Sequence, residues 1–249
     1  MMDVHIGADS LLILPCCAEK QPAGRIVDTY TDPLSPLMPA NTYSELMSAR
    51  RGVLAGIQGE PRFLTNKYTK NRLIREGPDF GYEGVLPQYL TAVERYCGNL
   101  YSVDPAFPQT LQKVLQAEDA PQILILSALY GPLHPFSLIQ DYNLKMSDRP
   151  AIDIWRKSFA VFLKAYIAQN KVQSIRLYLG RTTHYLKVAK AAIAPLIASG
   201  LDACFYDVEN GNSRETPLNH GKRFLSDLGC LKNAVYSRTI VQDYRIFHS

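Results

Sequence analysis

Gln122-Ile123-Leu124-Ile125-Leu126-Ser127 holds four consecutive aliphatic residues between two polar ones. So short and uniformly apolar a run is the pattern of a strand buried on both faces. Gly131 and Pro132 follow closely, so this strand leads into a loop rather than a helix. Three other segments read the same way. They are Leu11-Leu12-Ile13-Leu14, ended by Pro15; Ser174-Ile175-Arg176-Leu177-Tyr178-Leu179; and Ala203-Cys204-Phe205-Tyr206. Between them, apolar residues recur at helical spacing. The clearest case is 151–169, where Ile152, Trp155, Phe159, Phe162, Leu163 and Tyr166 share one face.

Further helices are expected at 42–55 with Asn41 as cap, 87–97, 108–116, 183–198 and 219–228, with a strand or loop at 235–247. Prolines, glycines and polar residues mark long loops at about 21–40, 56–85 and 128–150. Strands spaced by helices predict the α/β class: one domain over 1–249, with a mixed, partly parallel sheet flanked by helices.

Composition narrows the function classes. The chain has 249 residues, 47% of them hydrophobic and 20% charged, which excludes a disordered or collagen-like protein. No run of 18 apolar residues offers a membrane span. The first ten residues carry Asp3, His5 and Asp9 and no basic region, so no signal peptide is expected. Five cysteines without regular spacing, Cys16, Cys17, Cys97, Cys204 and Cys230, point to a reducing cytoplasm. There is no CxxC or HxxxH pair, so no metal site is expected. P-loop, GxGxxG and HExxH motifs are absent, which disfavours P-loop ATP hydrolysis, nicotinamide-dependent hydride transfer and zincin proteolysis; no cofactor is expected. The net charge of +4 permits a nucleic-acid partner without requiring one.

In open α/β sheets ligands gather beyond the carboxyl ends of the strands. Polar chemistry stands at three such ends. The first is Pro15-Cys16-Cys17-Ala18-Glu19-Lys20. Lys20 is a candidate amine nucleophile or phosphate ligand, and Cys16 a candidate nucleophile. Against this, Cys16 can simply fill core space and Lys20 can be a surface lysine. The second is Ser127 with Tyr130, Gly131, His134, Gln140 and Tyr142, whose hydroxyl, imidazole and amide groups could read a base or sugar edge. The alternative is a structural loop with inward-packed tyrosines. No GxSxG elbow supports a Ser/His hydrolase. The third is Gly180-Arg181-Thr182-Thr183-His184-Tyr185, with Lys187 beyond it. A strand, a glycine and a helix opening make an anion site or an ordinary cap at Thr183. Separately, residues 62–75 carry Arg62, Lys67, Lys70, Arg72 and Arg75 with Phe63 and Tyr68 and no acid. That mixture suits a nucleic-acid backbone with stacked bases, or a solvated face.

The second constellation carries a resemblance. Leu126-Ser-Ala-Leu-Tyr-Gly-Pro-Leu-His-Pro135 and Leu138-Ile-Gln-Asp-Tyr-Asn-Leu-Lys-Met146 resemble the LSGLYGxLRPLDxxxPYRLEM block of the YaaA family of peroxide-stress proteins. In the same order, Arg95-Tyr-Cys-Gly-Asn-Leu-Tyr101 resembles that family's FKGDVY segment, Asp153-Ile-Trp155 its FW helix, and residues 179–187 its LASxEYFKxV block. His134 replaces the family's arginine, and Pro15-Cys-Cys-Ala-Glu-Lys20 replaces its SPAK opening. This opening is similar instead to the PCxxxKPY motif of the archaeosine-synthase core domain, whose lysine is associated with chemistry at a modified 7-deazaguanine. The resemblance implies a cytoplasmic α/β protein that binds DNA through a positive groove and limits oxidative damage. It also implies that Lys20, Ser127, Tyr130, Gly131, Gln140, Tyr142 and Lys187 line one cleft.

Three functional readings follow. One is a nucleic-acid-associated transferase, lyase or hydrolase acting on a nucleobase or nucleotide. Lys20, Cys16, Ser127 and Tyr130 would be catalytic, with substrate contacts from Gly131, His134, Gln140, Tyr142, Arg181, Thr183 and Lys187. The second is a non-catalytic protein binding DNA, in preference to RNA, through Arg62, Lys67, Tyr68, Lys70, Arg72 and Arg75. The third is a small-nucleotide sensor or interaction module.

Overall fold

The computed structural model describes residues 6–27, 29–83, 86–231, 234–243 and 245–247, the side chains of Leu86, Pro87 and Arg245 apart. Asp3, His5 and His248 lie outside the described residues. The chain runs through β1 (Ser10–Pro15), β2 (Arg25–Val27), α1 (Ala40–Gly59), β3 (Leu86–Thr91), α2 (Ala92–Arg95), α3 (Phe107–Leu115), β4 (Gln122–Ser127), β5 (Gly131–Leu133), β6 (Leu138–Ile139), α4 (Arg149–Asn170), β7 (Ser174–Leu177), α5 (His184–Ile197), β8 (Asp202–Val208), α6 (Glu215–Asp227) and β9 (Ile240–Asp243).

Six strands form one sheet in the order β5-β4-β1-β7-β8-β9. The inner four are parallel, and β5 and β9 close the two edges antiparallel. The α/β class with a mixed, partly parallel sheet is therefore as the sequence led us to expect. Leu11 to Leu14 are wholly buried, because β1 is covered on both faces in the middle of the sheet. From β1 the chain reaches β4 on one side, then crosses back over β1 to β7 on the other. That reversal opens a crevice at the carboxyl end of β1. Helices α1, α4 and α5 lie side by side, and α6 packs on β8. No helix among the described residues is long and apolar enough to cross a membrane.

The structure departs from the expected elements in four places. First, α1 begins at Ala40 behind Pro39 and runs to Gly59, so Asn41 is inside the first turn rather than the cap. Second, the helix expected at 87–97 is β3 followed by the single turn of α2. Pairing of β3 with both β2 and β6 overrides the helical spacing of Leu90, Val93 and Cys97, and a Thr91–Glu94 capping box starts the turn. Third, β2 interrupts the loop at 21–40, and short 3-10 turns structure much of 56–85. Fourth, residues 128–150 hold β5 and β6, so this loop is largely a tight hairpin and a second, three-stranded sheet, β2-β3-β6. The fully buried Arg95 gathers that small sheet by donating to the carbonyls of Gln21, Ala23, Gln88 and Ile139.

Candidate functional site

A cavity of about 650 Å³ opens at the carboxyl ends of β1, β7 and β8. Its walls come from Cys16 and Cys17 after β1, the 98–101 segment, Gly180 to Thr183 before α5, and the turn between β8 and α6. The turn is tight: Asn210 takes a left-handed backbone (φ 51°), and a Cβ on Gly211 would stand 2.4 Å from Thr216 Oγ1.

Behind the β1 wall lies a buried polar cluster. Residues 19–21 run antiparallel beside 95–97: Cys97 N donates to Glu19 O, Gln21 N donates to Arg95 O, and Lys20 bridges Tyr96. This holds the Lys20 side chain inward, only 6% exposed. Its Nζ donates to the Cys17 carbonyl at 2.8 Å and stands 4.0 Å from the centre of the Tyr142 ring. Lys20 makes no ion pair among the described residues. Burial pushes its ammonium below the usual lysine range. Tyr142 Oη lies 2.9 Å from Ser127 Oγ, 3.0 Å from Tyr96 Oη and 3.4 Å from Cys16 Sγ. Tyr185 Oη is 3.0 Å from the same sulfur, and Tyr101 Oη donates to the Pro15 carbonyl. Burial raises the phenols of Tyr96, Tyr142 and Tyr185 well above the ordinary value, so they remain neutral donors. The Cys17 thiol is pushed up to about 12 by burial, which holds it as a thiol at neutral pH.

The structure thus brings together Cys16, Lys20, Ser127 and Tyr142 of the residues singled out from sequence. Tyr130 and Gln140 sit one layer away, around a fully buried carboxylate. Tyr130 Oη and Gln140 Nε2 both donate to Asp79, as does Tyr89 Oη at 2.6 Å. Desolvation raises Asp79 to about 6. Gly131 (φ 66°) faces Trp155, whose ring would meet its Cβ at 2.4 Å; here the glycine serves helix packing, not ligand approach. His134 lies away from the cavity wall, its Nδ1 accepts from Phe136 N, and burial lowers it to about 4.

At the third strand end, Arg181 lines the cavity but is committed to Asp207 and Asp243, each at 2.8 Å. Thr183 also lines it and caps α5, accepting from Leu186 N. Lys187 is exposed outside the cavity wall. In the basic stretch, Arg62 pairs with Glu60 and Lys70 with Asp141. Arg72 donates to the Leu64 carbonyl, Arg75 to the Arg72 carbonyl, and Tyr68 to Asp148. Lys67, Arg72 and Arg75 are exposed and make no ion pair among the described residues.

Sequence reasoning missed Asp79, Tyr96, Tyr101 and His220 as members of these clusters. Tyr96 and Tyr101 stood in a quoted block, Arg95 to Tyr101, but nothing in the pattern marked their hydroxyls. His220, on α6, lines the cavity, with Nε2 2.8 Å from the Tyr206 carbonyl. Among the described residues no three His, Cys, Asp or Glu side chains converge as metal ligands.

A parallel-cored sheet with a cavity at the topological switch defines the class: an open α/β protein with its crevice at the carboxyl ends of the strands. Comparison with known families makes this specific. The family model described as peroxide stress protein YaaA matches residues 62–215, and the chain belongs to that family. The match takes in the basic stretch, the Leu126 to Met146 block and the Gly180 turn, but not the Pro15 to Lys20 opening. No curated protein matches the chain.

Proposed function

We propose that this chain is a nucleic-acid-associated member of its family that binds, and acts on, a nucleobase or nucleoside at the carboxyl ends of β1, β7 and β8. Its setting is the response to peroxide, as the family's description suggests. The observation that carries the reading is Lys20. A buried ammonium with one carbonyl acceptor and two aromatic faces loses hydration without gaining a carboxylate. Such a group costs stability, and burial eases loss of its proton, the direction that suits a lysine nucleophile or base. Cys16, Tyr142 and Ser127 would relay or hold a proton beside it, and Tyr185 would connect them to the cavity.

The test compares wild type with Lys20→Ala and Tyr142→Phe on deoxyguanosine-containing substrates, read by mass spectrometry for both binding and turnover. Loss of turnover in Lys20→Ala supports the assignment. Unchanged binding and turnover in both variants defeats it.

A second reading rests on a separate observation, the exposed Lys67, Arg72 and Arg75 beside Tyr68. Here the chain binds DNA without chemistry. Each phosphate contact then adds about 0.9 to the slope of log affinity against log salt. Binding that is absent or independent of salt removes this reading.

A further inference from the structure

The charge of the cavity was not what its strand-end position suggested. Glu19, Asp207 and Glu209 line it against a single cation, Arg181. That guanidinium is already shared between Asp207 and Asp243, which raise its proton affinity further and leave no spare charge for a phosphate. Glu19 and Glu209 are exposed, and their side chains make no hydrogen bond or ion pair among the described residues. The opening of α5 adds little positive character, because the Thr183 oxygen already caps it.

A second feature points at a ligand independently. His220 is 2% exposed and forms part of the wall. Its Nε2 faces the Tyr206 carbonyl at 2.8 Å, and a carbonyl only accepts, so Nε2 carries the proton. Nδ1 is therefore a lone-pair acceptor, and among the described residues the one hydrogen bond of this ring is at Nε2. Burial lowers this histidine to about 4, so the acceptor persists at neutral pH. Leu100, Val208 and Pro217 supply apolar wall between these acceptors.

We infer that this cavity takes an unphosphorylated flat ring bearing N–H donors, neutral or cationic, and excludes the phosphorylated form of the same ligand. The inference rests on the proposed ligand site and names what that site selects. Two free carboxylates and an imidazole lone pair answer amino and ring N–H groups. A phosphate entering the same space meets net negative charge, felt most at the low salt of the test.

Three probes test it by calorimetry at neutral pH and low salt: adenosine, adenosine 5′-monophosphate, and 4-aminopyridine, a flat cation at that pH. Adenosine is expected to bind at least 10-fold tighter than its monophosphate. The double variant Glu19→Gln/Glu209→Gln, at two exposed positions, is expected to narrow that gap and weaken 4-aminopyridine at least 5-fold. Binding of 4-aminopyridine alone, lost in the double variant, supports the acceptor-lined cavity but defeats the nucleobase reading. Nucleoside binding and turnover that Lys20→Ala leaves both intact support the cavity and defeat the role of Lys20. A monophosphate that binds as tightly as the nucleoside, a gap unmoved by the double variant, or no binding of any probe overturns the inference.

Discussion

Lys20 and Arg50 are both buried cations, and their surroundings could hardly differ more. Arg50, on α1, is 1% exposed, and its guanidinium is fully engaged. It pairs with Asp32 at 3.2 Å and donates to the carbonyls of Tyr130, Pro132 and Asp79. Asp32 in turn accepts from Ser137, Tyr43 and Leu34 N, and despite its burial these partners hold its carboxyl below the usual range. Lys20 has one carbonyl and aromatic faces. The Arg50 region is closed accounting of the kind that joins α1 to the β4–β5 hairpin. The Lys20 region leaves two ammonium donors without protein acceptors, beside a cavity. Arg50 has a structural account in full; the proposed function accounts for Lys20 by a ligand at the neighbouring cavity.

That contrast can be broken experimentally. The largest effect is expected at the Arg50 hub. Arg50→Ala strands Asp32 as a buried unpaired carboxylate, with a cost of about 3–5 kcal/mol read by denaturant unfolding. A loss under 1 kcal/mol would show that the hub is not the structural anchor described here.

Next comes pH. Asp79 is raised to about 6 from 3.8, so the folded state holds its proton more tightly and this group's contribution falls as pH rises from about 4 to 6. His134 and His220 are lowered to about 4 from 6.5, so their contribution is present above 6.5 and is lost as pH falls towards 4. Each shift corresponds to about 3 kcal/mol. The two histidines outweigh the one aspartate, and stability is expected to decline on acidification through this window. Asp79→Asn should steepen the decline and His220→Gln should flatten it; the reverse order in urea titrations at pH 4, 5, 6 and 7 would contradict these directions.

Smaller again is Gly131→Ala. Its methyl meets the Trp155 ring at a left-handed backbone position, a cost of about 2 kcal/mol from strain and overpacking. Thermal unfolding unchanged by this substitution would return Gly131 to the list of ligand contacts.

The sequence made the sheet legible and the site only in part. Uninterrupted aliphatic runs such as Leu11 to Leu14 have no stable place except between two covered faces, so the parallel core could be read directly. β3 could not, because Leu90, Val93 and Cys97 fit a helical stripe and only pairing with β2 and β6 decides otherwise. Within the site, Lys20 and Cys16 stood at a strand end and were visible as candidates. Asp79 was not: it comes from a turn some fifty residues before Tyr130, and no local pattern links a Pro-Asp-Phe turn to a tyrosine hydroxyl. Arg181 stands at a strand end, where the sequence suggested a substrate or phosphate contact. Its neutralisation by Asp207 and Asp243 depends on β8 and β9 lying beside it, which spacing along the chain does not reveal.

The most direct test of the account is Lys20→Met, which keeps the buried stem and removes the charge. Stability and ligand binding should be measured on the same sample. If Lys20 is retained for chemistry, the variant is as stable as wild type or more so, by about 1 kcal/mol, because a poorly compensated buried charge is gone. Binding and turnover of the nucleoside substrate are lost at the same time. A variant that unfolds at markedly lower denaturant while binding its ligand normally would make Lys20 a structural residue and contradict the central claim.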